Sequence, residues 1–409
     1  MGIFFVPQTV ADHVPGYGGL IVYGTVALLL VPVALVFAKL GSVFEQEGGP
    51  YLYARAAFGE TAAFAVGWLT FLSALFSTAT VVVGLIEAVA AALDVHSRGA
   101  RALAALALLG MLGALLARGL RLSAWAWSIA TVVKLVPLFA LLAVALISAA
   151  GSAAPSPHDA PIALPGLLAA ALPVVFALQG FEVVPLPAAQ VERPRRSVPY
   201  ATVASLVLPA LLYLALHAAC VRALPDLGAH SLPLADAGRA YGGVHLYRAM
   251  VAATNVSALG ITIGMLAMTP RYLAVLGHDT ALGRRLGEQS ARAVPLRALA
   301  VTLAVVSMAV TSSFAWGSIA DLFALSSICV IIQYGVTAAS LVRLALRRHG
   351  GLAPLDAWAA PFVLLACGLI AVGATRFEML TVVVMFGVGL VLRAFHTRLQ
   401  ERRARSCAC

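Results

Sequence analysis

The stretch PVVFALQGFEVVPLPAAQVERPRRSVPYA, residues 173–201, decides how the rest of the chain folds. It begins as an apolar run, meets Gln179, Gly180 and Glu182, and leaves through an arginine-rich segment. A glycine loosens a helix backbone and prolines remove backbone donors. Lipid cannot satisfy the freed carbonyls, so a broken helix at membrane depth must line a cavity or pack inside protein. The stretch indicates either a broken helix that forms a binding site, or a kinked, continuous helix whose glutamate is held by a neighbour.

The composition is that of a membrane protein. Of the 409 residues, 62% are hydrophobic and 11% are charged, whereas soluble domains carry about a quarter charged residues. The apolar runs are long rather than alternating, which argues against a β-barrel. The net charge of +10 comes from arginines in short loops, and the positive-inside rule explains them better than nucleic-acid binding does. We therefore expect an all-α polytopic membrane protein whose surroundings are a lipid bilayer, with no nucleic-acid partner.

Apolar runs of about 20 residues predict the membrane spans. A first segment, 2–15, would be about 21 Å long as a helix, too short for about 30 Å of hydrocarbon, so it is a half-span. The full spans are predicted at 18–42, 61–93, 101–117, 122–148, 164–190, 198–222, 246–275, 296–314, 317–342, 355–375 and 377–397.

A linker rich in Ala, Pro and Ser, 149–163, divides the spans. Counting the half-span, five spans precede it and seven follow, and both parts open with an interrupted element, 2–15 and 164–190. Interrupted segments in corresponding positions of two repeats indicate a transporter site. An odd number of spans in each repeat makes the repeats inverted. The predicted division is a first inverted repeat at 1–148, a second at 164–342, two further spans at 355–397 and a tail at 398–409.

The arginines predict the orientation of the chain. The loops after spans 18–42, 101–117, 164–190, 246–275 and 317–342, together with the tail, hold 19 arginines, and the opposite side holds 6. This bias predicts that the tail and the Arg193–Arg196 loop face the cytoplasm, in a multi-pass protein of the cell inner membrane.

Two charged residues lie deep within predicted spans. Lys134 lies about 18 Å into its helix, where an ammonium must pair, titrate or replace a metal ion. It is either a fixed cation in place of Na⁺ or a proton-carrying site, or else a lysine that snorkels or is satisfied by helix-end carbonyls. Glu182 could relay protons or brace unwound backbone by accepting N–H bonds. Lys39 and Glu87 lie near the ends of their spans and fit ordinary interfacial charges.

The ends of the two interrupted helices suit an α-amino acid. Free backbone N–H groups at Gly2 and Ile3 carry partial positive charge and suit a carboxylate. The last carbonyls before the break, from Phe176, Leu178 and Gln179, carry partial negative charge and suit an ammonium. The Phe176 ring is expected beside this site as an aromatic lid, or as plain core packing. Other polar side chains either line a pocket or bond their own or neighbouring helices: Ser73, Ser77, Thr80, Asn255 and Ser327.

Signatures of soluble enzymes are not found in the sequence: there is no Walker P-loop, no G-x-S-x-G and no H-E-x-x-H. The nine histidines show no paired metal-ligand spacing. We therefore expect no enzymatic activity, no cofactor and no metal.

Three motifs resemble the amino acid–polyamine–organocation (APC) superfamily. Gly2–Phe4, G-I-F, resembles the end of the family's unwound first helix. Residues 37–59, from F-A-K-L-G to A-R-A-A-F-G, resemble the second span and its loop. Residues 180–201, G-F-E to R-R-S-V-P-Y-A, resemble the sixth span and its exit. Lys39 departs from the family, many members of which have Glu at this position.

The resemblance implies a LeuT-like fold of 5+5 inverted repeats plus two C-terminal spans, and alternating-access transport of amino acids. It implies that the substrate carboxylate meets Gly2 and Ile3, and that the amine meets carbonyls beside Gly180. Lys134 resembles the lysine that fills the sodium position in sodium-independent members, which favours proton coupling or exchange. Alternatives are a polyamine or amine carrier, or, if the first span is truly truncated, a non-transporting sensor or inactive paralogue.

Overall fold

The computed structural model describes residues 2–44, 46, 48–119, 124–149, 163–185, 191–278, 284–288, 290, 294–315 and 319–406, which form helices and turns without a strand. The helices are α1 (Gly2–His13), α2 (Gly18–Val43), α3 (Pro50–Phe58), α4 (Glu60–Ala92), α5 (Arg98–Ala117), α6 (Ala124–Ala149), α7 (Leu164–Leu178), α8 (Pro194–Ala223), α9 (Pro233–His278), α10 (Arg284–Gly287), α11 (Leu296–Ala315), α12 (Ile319–Leu346), α13 (Ala360–Ala371) and α14 (Arg376–Ser406).

The predicted spans are found as helices, with one exception. Among the described residues, ten helical stretches are long and apolar enough to cross a membrane. The exception is the span predicted at 164–190, whose described residues end at 185. They comprise the 15-residue helix α7, a break and a 3₁₀ turn. At 1.5 Å per residue α7 is about 22 Å long, which is shorter than about 30 Å of hydrocarbon. The polytopic helical fold class is thus confirmed, and the interruption predicted within this segment is present in its described part.

Two further features were not predicted. The short helix α3 lies in the loop after α2, where Pro50 occupies its first turn and Gly59 follows its end. Proline at the start and glycine after the end are the usual limits of a helix. Helix α9 begins at Pro233, within a segment interpreted as a connection, and is interrupted at Gly243, whose φ of 66° and ψ of −158° are non-helical. The span predicted at 246–275 is therefore the second part of a longer, interrupted helix.

The centre of the bundle is formed by α4 and α12. In the most apolar stretch of α4, 89% of the residues are buried, and in that of α12, 78% are buried. In the corresponding stretches of α6 and α14 only 17% of the residues are buried. α4 packs against α9 and α12, and α12 packs against α7 and α13. The exposed apolar side chains of α6 and α14, among them Phe139 and Phe377, suit a hydrocarbon environment. The interior position of α4 and α12 places their polar side chains against α7.

Helices α1 and α7 pack against each other and run in opposite directions. A Cβ added at Gly166, in the first turn of α7, would lie 2.6 Å from the carbonyl oxygen of His13, at the end of α1. From that contact α1 extends back to Gly2 over about 17 Å, and α7 extends on to Leu178 over about 18 Å. Because the helices pack side by side, these lengths bring the start of α1 level with the end of α7.

Candidate functional site

The helix break expected at Gly180 is present in the structure. α7 ends at Leu178, Gln179 is extended with φ −64° and ψ 156°, and Gly180 has φ 125° and ψ −23°. A 3₁₀ turn, Phe181–Val183, follows. A side chain is strained at the φ of Gly180, although a Cβ there would meet only open space. The glycine is therefore needed for its backbone conformation rather than for close packing.

Glu182 braces this break. Its carboxylate is buried, and Oε2 accepts hydrogen bonds from the Gly180 backbone N–H at 2.7 Å and from the Tyr334 hydroxyl at 3.0 Å. In a continuous helix the Gly180 N–H would donate to the carbonyl of Phe176, four residues back. The carboxylate takes that donor, and the Phe176 carbonyl loses its helical partner. These two hydrogen bonds are the geometry that the bracing interpretation of Glu182 requires.

The side chain of Gln179 joins three helices. Its Nε2 donates to Ser77 Oγ on α4 at 3.1 Å and to Ser326 Oγ on α12 at 3.2 Å. Ser326 Oγ also lies 2.8 Å from Ser77 Oγ and 3.1 Å from Ser73 Oγ. We call these four residues the serine–glutamine cluster. It holds the break of α7 against the two most buried helices.

Aromatic side chains cover the apolar side of the break. The rings of Phe176 and Phe323 are 4.6 Å apart between centroids and tilted by 53°. Phe181 packs against Tyr334 at 5.5 Å, and Leu178 is 2% exposed. Phe176 is thus packed against a ring of α12, which fits both of its predicted roles, core packing and closure of the site.

Of the remaining predicted polar side chains, one bonds a neighbouring helix, one bonds its own helix, and one has an unpaired oxygen. Ser327 donates to the carbonyl of Leu172 on α7 at 2.8 Å, and Thr80 donates to the carbonyl of Phe76 in its own helix. Oδ1 of Asn255 on α9 is buried without a hydrogen-bond partner among the described residues.

Lys134 is separate from the serine–glutamine cluster. It lies half-buried on α6, which packs against α8 and α9, and its neighbours Val133 and Val136 are exposed. Within the described part of the chain no hydrogen bond or ion pair joins Lys134 to Glu182. The two residues predicted to couple transport to an ion are therefore not in direct contact.

The two charges interpreted as interfacial have partners. Lys39 Nζ lies 2.9 Å from Asp356, just before α13, while the neighbours Glu45 and Glu47 lie outside the described residues. Glu87 receives two hydrogen bonds from Arg101, at 2.9 and 2.7 Å.

Two cavities lie away from the break, among the described residues at the ends of the helices. One of about 250 Å³ lies between the end of α1 and the turn after α8, and includes Asp12 and Asp226. Another of about 330 Å³ lies beside Lys39 and Asp356. Among the residues that the structure describes, no group of three or more His, Cys, Asp or Glu side chains is placed to hold a metal ion.

Three residues of the site were missed from the sequence. Ser326, Tyr334 and Phe323 all lie on α12 and contact the break or its braces. A partial signal was present, because Ser326 is adjacent to Ser327, which was selected as a pocket candidate. Neighbouring helical residues point about 100° apart, so the choice between them depends on which face of α12 meets α7.

A multi-pass helical bundle with a helix broken inside the membrane has the architecture of a secondary transporter. The chain belongs to the amino acid permease family, whose model matches residues 1–396, and with it to the APC superfamily.

Individual relatives agree with this family. The chain is 26% identical to a transporter of Mycobacterium tuberculosis over 98% of its own length and 88% of the relative. It is 24% identical to human cationic amino acid transporter 4, over 68% of this chain and 47% of that protein. It is 32% identical to the L-methionine/branched-chain amino acid exporter of Escherichia coli, over 52% of this chain and 50% of the exporter. These matches indicate a membrane transporter rather than an enzyme.

Proposed function

We propose that this protein carries amino acids across the cell inner membrane by alternating access. The observation that carries the proposal is the break of α7, where Glu182 takes the Gly180 N–H and leaves the Phe176 carbonyl without its helical donor. Helix α1 packs antiparallel to α7, so a helix start and a helix end lie at similar depth. A positive and a negative helix end suit the two charges of an amino acid.

In this proposal the substrate carboxylate accepts hydrogen bonds from the N–H groups of Gly2 and Ile3 at the start of α1. The substrate ammonium donates to the carbonyls of Phe176, Leu178 and Gln179, next to Gly180. The supporting principle is that an unpaired backbone carbonyl inside a membrane protein costs free energy until a donor reaches it. The ammonium supplies three such donors.

The proposed energy source is a proton gradient or exchange of amino acids, without sodium. Lys134 is a fixed cation on α6, and a bound Na⁺ beside it would be repelled in the weakly screening interior. Glu182 is the second candidate for coupling, in addition to its bracing contacts. The Pseudomonas aeruginosa arginine/ornithine antiporter, 29% identical over 36% of this chain, gives exchange a precedent in the family.

The direct test is uptake of radiolabelled amino acids into proteoliposomes that contain the purified protein, with and without sodium. We expect uptake to persist when sodium is replaced by choline, and to respond to an imposed pH gradient or to internal amino acid. Empty liposomes give the background. If none of the twenty common amino acids is accumulated or exchanged, the proposed function is wrong. If uptake requires sodium, the assignment of Lys134 is wrong while the carrier function stands.

A further inference from the structure

The side-chain carbonyl of Gln179 stands out among the polar atoms of the site. Its Oε1 is buried and has no hydrogen-bond partner among the described residues, whereas its Nε2 has two. Leaving a buried acceptor unpaired is costly, and each such atom in a folded protein calls for an explanation. A ligand that donates a hydrogen bond to Oε1 would supply that explanation.

The structure orients the amide of Gln179 with its NH₂ group toward Ser77 and Ser326. In this orientation both serine hydroxyls accept from Nε2. The one hydrogen of Ser326 Oγ is then left to donate to the backbone carbonyl of Ser73 at 3.3 Å or to a neighbouring serine hydroxyl. The carbonyl oxygen is the unpaired atom of this amide.

Among the described residues, the hydrogen-bond partners of Gln179 are uncharged, and none is a carboxylate that would suit a cationic side chain. The serine–glutamine cluster is uncharged, and Oε2 of Glu182 is already shared between the Gly180 N–H and the Tyr334 hydroxyl. Burying a cationic side chain without a counter-charge is expensive, whereas a neutral donor is well served by a neutral carbonyl. The neighbouring Phe176–Phe323 ring pair supplies apolar contact for the rest of a side chain.

We propose that Gln179, oriented by Ser77 and Ser326, selects neutral amino acids whose side chain donates a hydrogen bond. This proposal rests on the proposed function and names its substrate class. Ser77 and Ser326 are positioning residues, because they act on the substrate through Gln179. Side chains with a hydroxyl or amide are preferred over aliphatic side chains of the same shape, since only the former pair with Oε1.

Threonine and valine are the pair that tests the proposal, because they differ by a hydroxyl in place of a methyl group. We expect proteoliposomes with the wild-type protein to show a kcat/KM about tenfold higher for threonine than for valine, the size of one buried neutral hydrogen bond. Gln179→Met keeps the length of the side chain and removes the acceptor. It is expected to reduce the ratio of kcat/KM for threonine to kcat/KM for valine to about one.

Gln333→Met is the matched control. Gln333 also joins α4 to α12, but its Oε1 already accepts a hydrogen bond from Thr70 at 3.0 Å. This variant is expected to keep the threonine-to-valine ratio of the wild type, whatever it does to stability. Ser326→Ala is expected to give an intermediate threonine-to-valine ratio, because Nε2 of Gln179 keeps its hydrogen bond to Ser77 Oγ. Thermal unfolding in detergent shows whether each variant is folded.

Two results would overturn the inference: equal transport of threonine and valine by the wild type, or an unchanged ratio in folded Gln179→Met. Either would leave amino acid transport itself intact. Absence of transport of every amino acid by the wild type would instead contradict the proposed function, so the two failures are distinguishable.

Discussion

Glu182 is the residue whose chemistry decides how the break is held. Two hydrogen bonds end on the same oxygen, Oε2, one from the backbone of Gly180 and one from Tyr334 on α12. An ionised carboxylate would hold both bonds more strongly than a protonated one, because hydrogen bonds to an ionised acceptor are worth more than neutral ones. A brace and a proton relay make different demands on this carboxyl group, since only the relay requires that it titrate.

Substitution separates these two roles. Glu182→Leu removes both hydrogen bonds and is expected to cost about 1.5–3 kcal/mol of stability, whereas Glu182→Gln keeps an acceptor oxygen and is expected to cost less. Tyr334→Phe removes one donor and is expected to cost about 1 kcal/mol. Thermal unfolding in detergent measures all three. An unfolding temperature of Glu182→Leu equal to that of the wild type would contradict the bracing role, and uptake by Glu182→Gln that no longer responds to pH would establish a relay.

At the scale of single residues, the sequence predicted the break at Gly180 but not the side chains that hold it. Gly180 and the prolines after it are local signals, which a sequence displays directly. The partners of the break are distant along the chain. Ser326 is 147 residues from Gln179, and Tyr334 is 152 residues from Glu182. Their contribution depends on which face of α12 meets α7, and no local pattern specifies that face.

At the scale of helices, α2 and α8 approach each other closely at Gly19. A Cβ added there would overlap Nε2 of His217, a fully buried side chain that also packs against the ring of Tyr23, with centroids 5.1 Å apart. A small residue lets the two helix backbones approach, as is usual at helix interfaces in membranes. The contact is therefore sensitive to one methyl group.

Gly19→Ala is expected to destabilise the protein by about 1–3 kcal/mol, because His217 or the helices must move. The control is Gly24→Ala on the same helix, where an added Cβ meets nothing within 4 Å; it is expected to be neutral or slightly stabilising, since alanine favours the helix. Thermal unfolding of the two purified variants gives the comparison. Equal unfolding temperatures would show that the α2–α8 contact is not close in the folded protein.

The positions of the helices were predicted well from the lengths of the apolar runs. Their interruptions were predicted only in part. Long apolar runs are a strong signal, so α2, α4 and α8 lie close to their predicted ranges. The interruption of α9 was missed because Gly243 lies beside Gly242 in a segment that was interpreted as a connection. Helix α3 was missed because nine residues are too few for a periodic pattern.

At the scale of the whole molecule, the division into inverted repeats remains a prediction, which the antiparallel packing of α1 and α7 supports. Orientation also remains a prediction, and it rests on the 19 arginines assigned to one side against 6 on the other. Arg193 illustrates the pattern, since it directly precedes α8.

Reporter fusions at the C-terminus test the orientation. A green fluorescent protein fused after Cys409 is expected to fluoresce in a bacterial host, and alkaline phosphatase at the same position is expected to be inactive, because the tail stays in the cytoplasm. Exchanging the two reporters serves as the control for expression. An active phosphatase fusion with a dark fluorescent fusion would reverse the predicted orientation.

The ion pair between Lys39 and Asp356 links α2 to the turn before α13, and it has a practical consequence. The chain has only two lysines, and the other, Lys134, lies in α6. The Lys39 side chain is 40% exposed, so an amine-reactive dye that reaches this end of the bundle finds one accessible lysine. Lys39 is thus the more exposed natural attachment point for an amine-reactive fluorophore, placed where the two C-terminal helices meet the rest of the bundle.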